Sequence, residues 1–187
     1  MISCKEEILE LLGGRIFQYA VISTKDINFS PELLKTCEKN SCGNYNKYWT
    51  CPPAAGPIEK HMEKIQTFSH AFVFTSKGDL DDPFDFEGMM KANDYHSKIT
   101  AEMHERLGKT NPVYGAGTCK ICKDTAVSDA AISDKCAYPE ACRFPEKIFP
   151  AIEAAGINVT ELSRIGGINY NNGKNTVTYF SMILYNE

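Results

Sequence analysis

The sequence predicts an α/β (α+β) fold: a single mixed β-sheet flanked by helices, with long cysteine-bearing loops for metal binding. Three observations point there. Residues 15–23, 70–75 and 176–185 are rich in β-branched and aromatic side chains and read as strands. Amphipathic stretches lie between them, so strands and helices alternate along the chain. Two segments without apolar periodicity carry seven of the eight cysteines.

Taken in order, residues 6–12 read as a short helix that Gly13 and Gly14 end. The strand at 15–23 follows. Ser30 then stands as N-cap and Pro31 at the first position of a helix over 32–37, since proline's missing N–H costs nothing there. Residues 37–57 are punctuated by Gly43, Pro52, Pro53, Gly56 and Pro57 and read as one loop of about twenty residues, a length usually tied to function. Residues 58–67 form an amphipathic helix, and 70–75 a buried strand. The acidic residues Asp79, Asp81, Asp82, Asp85 and Glu87 around Pro83 read as a solvated loop. A long helix is predicted over 86–107, ended by Gly108, then a helix over 145–155 stopped by Gly156, and a strand over 158–162. Asn171, Asn172 and Gly173 turn the chain into the strongest strand signal, 176–185.

At 187 residues the chain is expected to form one cysteine-rich metal-binding domain spanning 1–187. A hydrophobic fraction of 43% with 24% charged residues marks it as globular. A net charge of −4, without a Lys/Arg cluster, leaves no footprint for nucleic acid. No run approaches the roughly twenty apolar residues a membrane span needs. The first dozen residues have neither a basic start nor a cleavage site, so no signal peptide is expected, and a cytoplasmic location follows. In that reducing compartment, paired cysteines are more often metal ligands or redox groups than disulfides.

The cysteines form two groups. Cys37, Cys42 and Cys51 follow C-x4-C-x8-C, with Pro52 and Pro53 directly after; Cys119, Cys122, Cys136 and Cys142 follow C-x2-C-x13-C-x5-C. Thiolates at such spacing are what a soft metal or an iron–sulfur cluster requires. The four of the later group match the ligand count of either a zinc site or a 4Fe–4S cluster. Gly115 and Gly117 leave the backbone free to aim N–H groups at the sulfurs, and a helix starting near Pro145 would set its positive end beside Cys142. Three cysteines in the earlier group suit a cluster with one open iron, or a site whose fourth ligand comes from Cys4, a histidine or a second chain. Tyr45, Tyr48 and Trp49 read as cover that excludes water. Cys4 stands apart as an ordinary thiol.

His61, His70, His96 and His104 show no ligand pattern; His96 and His104 lie eight apart on one predicted helix. No dinucleotide fingerprint, Walker loop, nucleophile elbow, zincin motif or C-x3-C-x2-C run is present.

The run Cys42-Gly43-Asn44-Tyr45 with Trp49-Thr50-Cys51-Pro52-Pro53, and Cys37 before it, resembles the first signature of a bacterial and archaeal family of predicted metal-binding proteins. Gly115-Ala116-Gly117-Thr118-Cys119-Lys120-Ile121-Cys122 is similar to its second, continuing through Cys136-Ala137-Tyr138-Pro139-Glu140-Ala141-Cys142-Arg143-Phe144-Pro145 and Ala154-Ala155-Gly156-Ile157. The likeness runs from about Ile27 to the C-terminus. Two departures stand out: thirteen residues, 123–135, separate Cys122 from Cys136 where the family has about two, and Ala151-Ile152-Glu153 replaces Ser-Met-Glu. The resemblance implies metal binding through these cysteines and no particular activity.

The expectation is therefore an iron–sulfur protein with one or two 4Fe–4S clusters held by Cys37, Cys42, Cys51, Cys119, Cys122, Cys136 and Cys142. Its work would be electron transfer or redox chemistry on a small molecule, with a redox partner protein or small molecule as partner and a homo-oligomer possible. The alternative is a zinc-stabilised, non-catalytic binding module with Zn2+ at the same thiols. A metal-handling protein with labile metal is a third reading.

Overall fold

A computed structural model describes residues 2–123 and 135–187. Most of the insertion expected between Cys122 and Cys136 lies outside the described residues. The chain runs α1 (Lys5–Leu12), β1 (Gln18–Ser23), α2 (Pro31–Glu38), α3 (Ile58–Gln66), β2 (His70–Asp79), α4 (Phe86–Leu107), β3 (Val113–Tyr114), α5 (Val159–Gly166) and β4 (Thr176–Tyr185). Among the described residues the fold is α+β, built on a four-stranded sheet in the order β1-β2-β4-β3.

The sheet expected to be mixed is antiparallel at every strand pair. A parallel contact survives as an isolated bridge between Gly115 and Ala151. The central pair, β2 and β4, lies in register from His70 opposite Tyr185 to Asp79 opposite Thr176.

Both faces of this pair are buried, which is why its strands read as continuous apolar runs instead of alternating ones. Ala71, Val73, Met182 and Leu184 face one core with Ile65 of α3 and Leu162 of α5. Phe72, Phe74, Ile183 and Tyr185 face the other, against Ile8 and Leu12 of α1 and Ile99 and Met103 of α4. Each fully buried Val, Leu, Ile, Phe or Met among them contributes about 1.5–3 kcal/mol relative to exposure.

The long helix, β4 and α1 lie where the sequence predicts them; β2 starts at His70 as predicted but runs on past residue 75 to Asp79, which the sequence assigns to the acidic loop. Asp85 of the acidic loop does more than meet solvent: its carboxylate accepts from Gly88 N–H at 2.8 Å and caps α4. Ser30 does less than expected. Pro31 opens α2, but the Ser30 hydroxyl donates to Glu32 at 2.9 Å and makes no backbone cap. The strand expected from residue 15 begins at Gln18, because the Arg15 guanidinium turns back to the carbonyls of Leu11 and Leu12 and to Glu102.

Two expectations near the C-terminus are corrected. Residues 145–155 form no helix: a turn at 145–147 leads into extended chain, and only Glu153–Ala155 makes a tight 3-10 turn. Pro150 cannot sit inside a helix. The segment is instead drawn out by Gly115, whose N–H donates to Pro150 O and whose carbonyl accepts from Ile152 N–H, both at 3.0 Å. Residues 158–162 belong not to a strand but to α5. The Asn158 side chain accepts from the N–H groups of Thr160 and Glu161, at 2.9 and 3.2 Å, and starts that helix.

Candidate metal centre

The first cysteine group leaves α2 and enters a run of tight turns. Asn40, Gly43 and Asn46 all adopt positive φ, and Asn40 O accepts from Gly43 N–H at 2.9 Å. Glycine and asparagine tolerate that left-handed backbone at least cost. Cys51 closes the run: its N–H donates to Tyr48 O at 3.1 Å, and its carbonyl accepts from Ala55 N–H at 2.9 Å. Cys37 thus leads the turns from the end of α2, and Cys51 ends them.

The second group starts from the sheet. β3 runs into Gly115, where the bridge to Pro150 and Ile152 fastens the chain that follows Cys142 beside the chain that precedes Cys119. Gly117 turns at φ 70°, and Cys122 lies in the 3-10 turn Ile121–Lys123. The Ile121 N–H is directed at the Cys119 sulfur, as expected for a glycine-loosened loop. Among the described residues no helix starts beside Cys142, so the helix-dipole contribution expected there is absent.

The two groups are docked on one another. The Cys119 N–H donates to the Thr50 hydroxyl at 3.2 Å. The Trp49 indole N–H donates to Glu140 O at 3.0 Å, and the Tyr138 hydroxyl to the Asn46 side chain at 2.6 Å. The Trp49 and Tyr138 rings meet edge to face, 5.2 Å between centroids. Trp49 therefore covers the junction between the loops.

All eight cysteines are free thiols; Cys42 is exposed and the other seven are partly buried. Within each group the sulfurs interact electrostatically. Burial pushes the Cys51 thiol up to about 11, helped by Cys42, Cys37 and also Cys119, while a hydrogen bond from Thr50 pulls the other way. Burial raises Cys119 to about 11 as well, followed by repulsion from Cys122, Cys136 and Cys142. Cys37 is raised by burial, then by Cys42, Glu153 and Glu38. An unmetallated centre would hold these three as neutral thiols near pH 7, and metal binding would have to displace their protons.

The donor chemistry of both groups fits a thiophilic centre. Among the described residues, no three His, Cys, Asp or Glu side chains stand close enough to hold one metal ion. A tetrahedral zinc with Zn–S bonds of about 2.3 Å needs sulfurs about 3.8 Å apart. A cluster binds its thiolates through different irons and spaces them further.

The other ligand candidates are engaged elsewhere. Cys4 donates to Glu7 at 3.4 Å beside α1. His61 meets Tyr114 and Ala55 O, and His70 meets Ser69. His96 is buried between Ser76 and Ser181, and His104 contacts Glu146 O.

Residues 20–185 match the family described as predicted metal-binding protein (DUF2284). The chain belongs to that family. No curated protein and no solved structure is significantly similar to it. The match agrees with the resemblance carried by the two cysteine signatures, and β1 to β4 all fall within it or reach its edges. Among the described residues, no helix is long and apolar enough to cross a membrane.

Sequence reasoning missed Thr50 as the residue joining the two loops. Threonine beside a cysteine carries no signal of its own; its importance arises from a partner 69 positions away.

Proposed function

We propose that this family member is a cytoplasmic iron–sulfur protein serving electron transfer or redox chemistry on a small molecule. Cys119, Cys122, Cys136 and Cys142 would hold one 4Fe–4S cluster, and Cys37, Cys42 and Cys51 a second with one iron left open. The observation that carries this reading is the Thr50 junction, which puts Cys51 within electrostatic reach of Cys119. Two separate structural zinc sites would have no need of such adjacency, whereas exchange of electrons depends on it.

Such clusters supply one-electron transfer at a potential set by burial and by hydrogen bonds to sulfur. The chain's own groups provide both: the Ile121 N–H on Cys119, the Thr50 hydroxyl on Cys51, and the Trp49–Tyr138 cover. The free thiols accord with a reducing compartment.

Anaerobic purification followed by iron, sulfide and zinc quantitation tests the proposal. About four to eight irons per chain, with matching sulfide and a broad visible absorption, is the expected result. Stoichiometric zinc without iron or sulfide would overturn it in favour of the zinc-stabilised binding module.

A further inference from the structure

Beside Cys119 the structure encloses a cavity of about 420 Å³, within the range of small-molecule sites. One wall is a single face of α4, from Met90 through Asp94 and Ser97 to Ala101, positions three or four apart. The loop 115–121 forms a second wall and residues 147–150 a third. Ala116, Ile148 and Phe149 make much of the interior apolar.

Its charge is one-sided. Lys98, Lys120 and Lys147 all border the cavity, against one carboxylate, Asp94. Lys120 is spoken for: its ammonium pairs with Asp94 at 2.5 Å and meets Asn93, strapping the Cys119 loop to α4. Lys147 lies over the Phe144 ring, 5.7 Å from its centroid, and Lys98 stands at the exposed rim. Among the described residues neither is ion-paired. Two ammonium groups without a carboxylate partner among the described residues, at a largely apolar pocket, select a ligand with an apolar body and an anionic end.

We infer that this cavity binds a small organic anion, a carboxylate or phosphate on an apolar body, and seats it against the Cys119 centre. The site deepens the proposed function by assigning a ligand class to it, and only its role beside a redox centre rests on that reading. The cavity itself is made by α4 and two chain segments whatever metal the thiols hold.

The test is titration of the purified, metal-loaded protein with benzoate and with phenyl phosphate, followed by amide chemical shifts of Gly117 and Lys120; benzyl alcohol is the neutral control. Saturable shifts are expected with at least one anion, and binding of the alcohol at least about tenfold weaker. Which anion binds tighter separates a carboxylate from a phosphate ligand. Combined Lys98→Glu and Lys147→Glu substitution should weaken anion binding about tenfold or more and leave the alcohol unaffected. Ala116→Phe, which fills the cavity, should abolish both at unchanged circular dichroism. Equal affinity for alcohol and anions, indifference to charge reversal, or no saturable binding would overturn the inference. Metal content is measured on the same samples, so a zinc-loaded protein that still binds anions defeats the iron–sulfur reading and leaves the anion site standing.

Discussion

The Thr50 hydroxyl accepts the backbone N–H of Cys119 at 3.2 Å and, through its own hydrogen bond, holds the neighbouring Cys51 thiol below where burial would push it. One buried side chain thus serves both cysteine groups. It couples a backbone donor of one loop to a sulfur of the other.

Replacing it by valine keeps the volume and removes the hydroxyl. Thr50→Val should destabilise the protein by about 1–3 kcal/mol, because the Cys119 N–H is left without its partner in a partly buried site. The Cys51 thiol should rise further, so metal is retained less well as pH falls. Thermal denaturation and the rate of metal loss to a chelator, compared with wild type at two pH values, check both effects.

Gly115 tests how the second loop is seated. A Cβ there would lie 2.5 Å from Phe149 Cε2 and 3.2 Å from Thr100 Cγ2. Gly115→Ala should therefore cost about 1–3 kcal/mol through overpacking. Adding Phe149→Leu in the same chain should recover most of that loss. Urea denaturation of the single and double variants decides it.

His96 makes stability depend on pH. Both ring nitrogens are occupied, by Ser76 at 2.9 Å and Ser181 at 2.8 Å, and burial lowers its pKa from 6.5 to about 4. The unfolded chain therefore takes up a proton between pH 6.5 and 4 that the folded chain refuses, and stability falls as pH falls through that window. The full effect amounts to about 3 kcal/mol and is wholly present above pH 6.5. Burial lowers His61 and His104 in the same direction, so they add to the slope. His96→Gln should flatten the difference between urea midpoints at pH 7 and pH 5 without eliminating it.

The cap expected at Ser30 and the cap found at Asn158 separate cleanly. Asn158→Ala removes a side chain that accepts two N–H groups and should cost about 1 kcal/mol. Ser30→Ala removes no cap and should change stability by less than about 0.5 kcal/mol. Chemical denaturation of both variants gives the comparison.

Much of this protein was legible in one dimension. The helices and strands with long, coherent patterns, such as Phe86–Leu107 and Thr176–Tyr185, form where their side chains say, because local propensity and burial agree there. The family likewise follows from order and spacing of cysteines, prolines and glycines along the chain. Short segments were different. Residues 158–162 look like a strand by composition, yet one asparagine cap turns them into the start of α5. The stretch after Pro145 has helix-forming residues, but Pro150 and a pairing with Gly115, 35 positions upstream, hold it extended.

What chain order determined, then, is which residues carry sulfur, where the main elements lie, and the family they mark. Only the folded chain decided that the cysteine loops meet at Thr50 and that a lysine-rimmed cavity opens beside Cys119. The reason is physical. Propensity and spacing act over a few residues, whereas hydrogen bonds and cavities join groups that the core, built from both faces of β2 and β4, brings together from far apart in sequence.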